Sequence, residues 1–145
     1  MPRIAYLFIM IIAGGFAGTQ FSINALLGQQ IGVFETSLVS FIVGTLSLGL
    51  VVLVFGKGNL TLVTKVPKWQ LIGGLLGAFV VASTIICVPN IGVASVMVGF
   101  IVGQLSITIL VDHFGWFNVP VIRINVYRIF GVFFMLIGIF CMFRP

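Results

Sequence analysis

Apolar residues run along the chain in five long stretches, at about 4–27, 37–55, 69–88, 91–111 and 125–143, broken by short polar or glycine- and proline-bearing segments. A helix needs about 20 residues to cross a hydrocarbon core of about 30 Å, and each stretch is of that order. None alternates apolar and polar with period two, which argues against a membrane barrel. Helices are then the way to pair every backbone group in lipid. The connectors carry turn chemistry: Gly56 to Asn59 after the second stretch, Val66 to Trp69 before the third, Pro89-Asn90 as a tight link to the fourth, and Gly115 to Pro120 before the fifth. The pattern predicts an all-α integral membrane protein with five transmembrane helices in a single domain, 1–145. The first stretch, with Arg3 and then Ala17-Gly18-Thr19, has the outline of a signal peptide. Its apolar run continues past the small residues, so a first span is expected instead.

Composition removes the soluble alternative. Of 145 residues, 61% are hydrophobic and 6% charged, with a mean hydropathy of +1.34. Soluble domains carry about 25% charged residues. The net charge of +5 reads as orientation and not as affinity for nucleic acid. With the N-terminus in the cytoplasm, Arg3, Lys57, Lys65, Lys68, Arg123 and Arg128 fall on the cytoplasmic side, and only Arg144 falls outside. Trp69 and Trp116 then sit at the same cytoplasmic boundary, where an aromatic belt belongs. The expected topology is N-in and C-out. Cys87 and Cys141 lie inside apolar runs and suggest neither a disulfide framework nor a metal site.

The polar residues inside the spans are few and patterned. On the first helix Gln20 and Asn24 stand at i, i+4, with Ala13, Ala17 and Gly28 on the same stripe and Gly14 and Gly18 beside it. Such amides either bond a neighbouring helix or line a wet cavity, and both readings stay open. On the fourth helix Gln104, Thr108 and Asp112 form one polar stripe, opposite Gly92, Ser95, Gly99, Gly103 and Ser106. Gln20, Asn24, Gln104 and Thr108 are therefore the candidate solute-binding residues. Thr36, Ser40, Gly44 and Ser47 on the second helix, and Gly73, Gly77 and Thr84 on the third, read as helix-packing faces, as do Gly14, Gly18, Gly99 and Gly103. The fifth helix has no polar residue beyond its first turns and reads as peripheral. Asp112 and Arg128 flank one loop and could form either a salt bridge or a gate. His113 reads as a solvated loop histidine, and Glu35 as a carboxylate favoured at a helix start. Phe41-Ile-Val-Gly44-Thr-Leu-Ser47 echoes Phe100-Ile-Val-Gly103-Gln-Leu-Ser106, which in so restricted an alphabet is expected to be coincidence. No carboxylate sits at the centre of a span, so an ion-coupling acid is not evident. With no catalytic triad, metal-spaced cluster or phosphate loop, neither an enzyme nor a cofactor is expected.

Several short motifs occur in a characteristic order: Gly18-Thr-Gln20-Phe-Ser-Ile-Asn24, then Ser37-Leu-Val-Ser40-Phe41 with Gly44-Thr, then Gly92-Val-Ala with Gly103-Gln104. Asp112-His113-Phe-Gly115 and Arg128-Ile-Phe-Gly131 complete the set. Together they resemble the five-helix, half-length branch of the drug/metabolite transporter superfamily, the YdcZ-like bacterial inner-membrane proteins. The resemblance implies one half of a 5+5 inverted-repeat transporter, assembled as an antiparallel pair, and solute export by alternating access. An odd span count suits this, because a tandem copy would be inverted in the membrane. Related small multidrug resistance proteins use a carboxylate in the first helix, where this chain has Gln20 and Asn24. The six-to-one charge bias favours a heterodimer with an oppositely oriented paralogue over a dual-topology homodimer. A non-transporting scaffold or accessory subunit is the alternative, in which the amides only bond neighbouring helices.

Overall fold

A computed structural model of the chain describes residues 3–122 and 125–142. Among these residues all regular structure is helical, as the need to pair backbone groups in lipid requires. Five α-helices follow in order: α1 (Arg3–Ile31), α2 (Val33–Phe55), α3 (Gly73–Ile91), α4 (Val93–Phe114) and α5 (Val126–Met142). Short 3-10 turns, Leu60–Thr64 and Lys68–Ile72, lead into α3. The first four helices are long and apolar enough to cross a bilayer, while α5 is apolar but shorter, at 17 residues.

Two boundaries differ from the sequence expectation. The first helix continues past Leu27 to Ile31, and the second starts at Val33, so a single residue, Gly32, joins them. Gly32 has φ 101° and ψ 159°, a backbone region essentially restricted to glycine, and it reverses the chain without a loop. The third helix does not stop at Pro89-Asn90 but runs through both to Ile91. Pro89 removes one N–H in the last turn, and the Asn90 amide Nδ2 donates to the Ile86 carbonyl at 2.7 Å. The link to α4 is Gly92, with φ 80° and ψ 156°, nearly the conformation of Gly32.

The chain divides into two compact units, Met1–Asn90 and Ile91–Pro145. In the first, burial is concentrated near the α1–α2 turn: Phe21, Asn24, Ala25, Thr36 and Ser37 are buried, with Thr84, Ile85 and Val88 from α3. Away from that turn, residues 41–60 and most of 4–16 are exposed, which is the surface a span offers to lipid. The close approach of α1 to α3 depends on Gly28, where a side chain would run into Ile85 Cγ2. Gly77 lets α3 meet the Phe41 ring, whose Cζ would lie 3.4 Å from an added Cβ. In the second unit α4 packs on α5. Gly115, with φ 64°, closes α4 by donating its N–H to the Val111 carbonyl. The following loop returns to α4 through the Ile122 N–H to the Asp112 carbonyl, at 2.9 Å.

Candidate functional site

The single-glycine turn at Gly32 sets the register of α1 against α2. With successive turns stacked on either side of it, Gly28 lies by Thr36, Asn24 by Ser40, and Gln20 near Gly44. At the first level an added Cβ on Gly28 would stand 3.8 Å from Thr36 Oγ1. At the second, Ser40 Oγ donates to Asn24 Oδ1 at 2.8 Å. Asn24 is 5% exposed and Thr36 fully buried, and neither Asn24 Nδ2 nor Thr36 Oγ1 has a hydrogen-bond partner among the described residues. At the third level Gly44 places no side chain opposite Gln20. There a cleft of about 230 Å³ opens, lined by Gln20, Ser40, Phe41, Gly44, Thr45, Leu48 and Val81. An added Cβ on Gly44 would meet nothing within 4 Å.

Neither hydroxyl lining this cleft bonds the carbonyls of its own helix. Ser and Thr in a span usually satisfy themselves by bonding a carbonyl one turn back. Thr19, Ser22, Ser37, Ser47, Ser83, Ser106 and Thr108 each do so, at 2.8–3.0 Å. Ser40 instead crosses to Asn24. Thr45 and the Gln20 amide make no hydrogen bond among the described residues. The cleft therefore presents one unengaged amide and one unengaged hydroxyl beside apolar walls.

The second unit has its own cleft of about 260 Å³, lined by Leu105, Thr108, Ile109, Asp112 and Gly131. Thr108 Oγ1 is held on its own helix, donating to the Gln104 carbonyl at 2.9 Å, with the Leu105 carbonyl at 3.1 Å. Gln104 is exposed and Asp112 half-buried. Arg123 and Arg144 lie outside the described residues, as does the Arg128 side chain, so the expected pairing of Asp112 with Arg128 falls outside them too. His113 packs edge-on against Phe114 at 5.0 Å between ring centroids, and Phe114 stacks on Trp116 at 5.5 Å.

The expected residues thus distribute over two places. Gln20 and Asn24 share one face with Ser40, while Thr108 and Asp112 share the cleft against α5. Among the packing glycines, Gly77 meets Phe41, whereas a Cβ on Gly14, Gly44, Gly73, Gly99 or Gly103 would meet nothing within 4 Å in this chain. Ser40 and Thr45 were not among the residues the sequence singled out for binding. The available signal was their position on α2 relative to Gly32, which fixes what stands opposite Gln20. Among the described residues no group of three His, Cys, Asp or Glu side chains could hold a metal ion.

Four bilayer-length helices and an uncharged polar cleft midway along α2 are features of a transport protein. Over residues 5–141 the chain matches the family described as "Putative inner membrane exporter, YdcZ". No curated protein and no solved structure matches it. With nearly its whole length matched, the chain belongs to the YdcZ family of inner membrane exporters.

Proposed function

We propose that the chain is one subunit of a small-solute exporter of the drug/metabolite transporter type. It has five spans, with α5 as the fifth, and pairs in antiparallel fashion with an oppositely oriented partner to work by alternating access. The observation that carries this reading is the Gln20–Ser40–Thr45 cleft, a set of uncharged polar groups at mid-span in a chain of an exporter family. Discontinuities between two inverted halves at the bilayer midplane are where such transporters bind solute. The six-to-one distribution of Lys and Arg supports a fixed N-in, C-out subunit, and hence a heterodimer with a paralogue of opposite bias over a homodimer. Gln104, exposed on α4, contributes from its own side of the subunit.

Two measurements test the reading. Reporter fusions in the 56–72 segment and at the C-terminus should each give a single location, on opposite sides of the membrane; mixed locations would defeat the fixed topology. In proteoliposomes containing both subunits, Gln104→Ala should abolish solute flux while leaving the pair assembled. Loss of assembly instead would make Gln104 a contact between helices. The Asn24–Ser40 bond favours a second reading, a non-transporting accessory subunit whose amides join helices. It predicts no flux with any partner.

A further inference from the structure

The substrate class follows from what the cleft offers and what it lacks. Its polar groups are the Gln20 amide and the Ser40 and Thr45 hydroxyls, and no ionisable side chain lines it. The only acid of α1 and α2, Glu35, lies at the Gly32 turn, where its carboxylate folds back against that glycine. An organic cation would lose its hydration there with nothing to replace it, which is costly in a low-dielectric span. A neutral hydrogen-bonding group fits, because an amide supplies donor and acceptor together. Ser40 is oriented by Asn24: its proton goes to Asn24 Oδ1, leaving its lone pairs as acceptors. Phe41, Leu48 and Val81 give the solute an apolar flank. The volume, about 230 Å³, corresponds to about eight water molecules and admits one small ring with a single polar head. Gly44 keeps that volume open, since a Cβ there would project into empty space and not into a neighbouring helix.

From these features we infer that the cleft is a subsite for an uncharged, small, amphipathic solute bearing an N–H or O–H donor. Gln20 and Thr45 recognise its polar head, Asn24 acts as a positioning residue through Ser40, and Gly44 sets the size limit. This rests on the exporter reading but names its substrate class.

The test uses the full-length protein in native membrane vesicles, with Cys87 and Cys141 replaced by alanine. Leu48→Cys, or Val81→Cys should the first not accumulate, is labelled with the small neutral reagent methyl methanethiosulfonate. Three probes of one size compete: benzamide, N,N-dimethylbenzamide, which lacks the donor, and benzamidinium, which is charged. Benzamide is expected to slow labelling about three- to tenfold, the scale of one or two neutral hydrogen bonds. The other two should slow it less than twofold. Gly44→Val and Gln20→Leu should each remove the protection. In Leu48→Cys carrying Ser40→Ala or Asn24→Ala, the ratio of benzamide to dimethylbenzamide protection should fall towards one, a preference that loosened packing alone would not erase. Equal protection by all three probes, or stronger protection by benzamidinium, overturns the inference. So does a cysteine that is unreactive before any probe is added, because a partner helix then fills the cleft. Radiolabelled benzamide flux separates the two claims. Protection without flux of any protecting solute counts against the exporter reading alone, and flux without protection counts against the subsite alone.

Discussion

Gly28 and Gly44 carry the same substitution to opposite outcomes. In a helix interior, alanine is better than glycine by about 0.5–1 kcal/mol, because glycine loses more backbone freedom on ordering. At Gly44 nothing opposes that gain, since the new methyl meets no atom within 4 Å. Gly44→Ala should therefore be neutral or stabilising by up to about 1 kcal/mol. At Gly28 the same methyl collides with Ile85 Cγ2, a branch methyl on a stiff side chain that is 3% exposed. Overpacking a closed contact costs about 1–3 kcal/mol, so the two variants should differ by about 1–3 kcal/mol or slightly more.

A double-mutant cycle isolates the contact. Ile85→Ala alone should cost about 2–5 kcal/mol through the cavity it leaves. With Gly28→Ala added, the new methyl enters that cavity instead of a side chain, so the double variant should be more stable than additivity predicts by about 1–3 kcal/mol. Equilibrium unfolding in mixed micelles, followed by helical circular dichroism, gives all four free energies. Equal stability of Gly28→Ala and Gly44→Ala, or strict additivity in the cycle, would refute the placement of α3 against α1.

Four further substitutions probe the links and the polar ladder. Gly32→Ala and Gly92→Ala should each cost about 1–3 kcal/mol, because both glycines hold a backbone conformation that side chains rarely adopt. The two costs should agree within about 1 kcal/mol, since the Glu35 carboxylate over Gly32 is the mobile end of its side chain and can swing away; the same unfolding measurement checks both. Ser40→Ala should cost about 1–3 kcal/mol by stranding the buried Asn24 amide. Ser47→Ala, which removes only a bond to its own helix, should stay within about 0.5 kcal/mol of the parent.

Most of the helical frame was readable because lipid leaves the backbone few choices, and apolar length alone then marks a span. What misled at the boundaries was loop chemistry. Pro89-Asn90 has the residue types of a turn, yet Pro89 gives up only the one N–H that would reach the Ile85 carbonyl, and the Asn90 amide adds a bond to the Ile86 carbonyl. The actual joints between helices, Gly32 and Gly92, were hidden by their surroundings, Ile31–Val33 and Ile91–Val93, which continue the apolar run. A one-residue joint requires a positive φ, and only the backbone reveals it. The amides on α1 were legible as important, but their partners were not. Which α2 residue stands opposite Gln20 depends on the turn length, and a turn drawn from 28 to 36 leaves that register open.

The two glycines also bear on the echo between residues 41–47 and 100–106. Both segments belong to a helix that follows a single glycine with ψ of 156–159°, and the second stands one residue nearer its glycine. Ile31-Gly32-Val33 and Ile91-Gly92-Val93 repeat as well. Burial does not repeat with them: Asn24, Ala25 and Thr36 are buried about Gly32, whereas Ile85, before Gly92, is buried where α3 meets Gly28 of α1. The one-residue difference turns the echoed residues by about 100° around the helix, so the glycine links do not align them and coincidence of composition remains the account of seven similar letters. What occurs twice is the short Ile-Gly-Val link between consecutive helices, with different chemistry around each copy. Gly28 becomes Val88, Thr36 becomes Val96, and Thr84 turns its hydroxyl to the Val81 carbonyl of its own helix. The polar ladder that bonds helices at Asn24 and opens a cleft at Gln20 therefore exists only around the first copy. After the second, Gln104 stands where the echo places Thr45, after the matching glycine. Gln104 is exposed on α4, so it is a group that α4 offers to whatever faces that side of the helix.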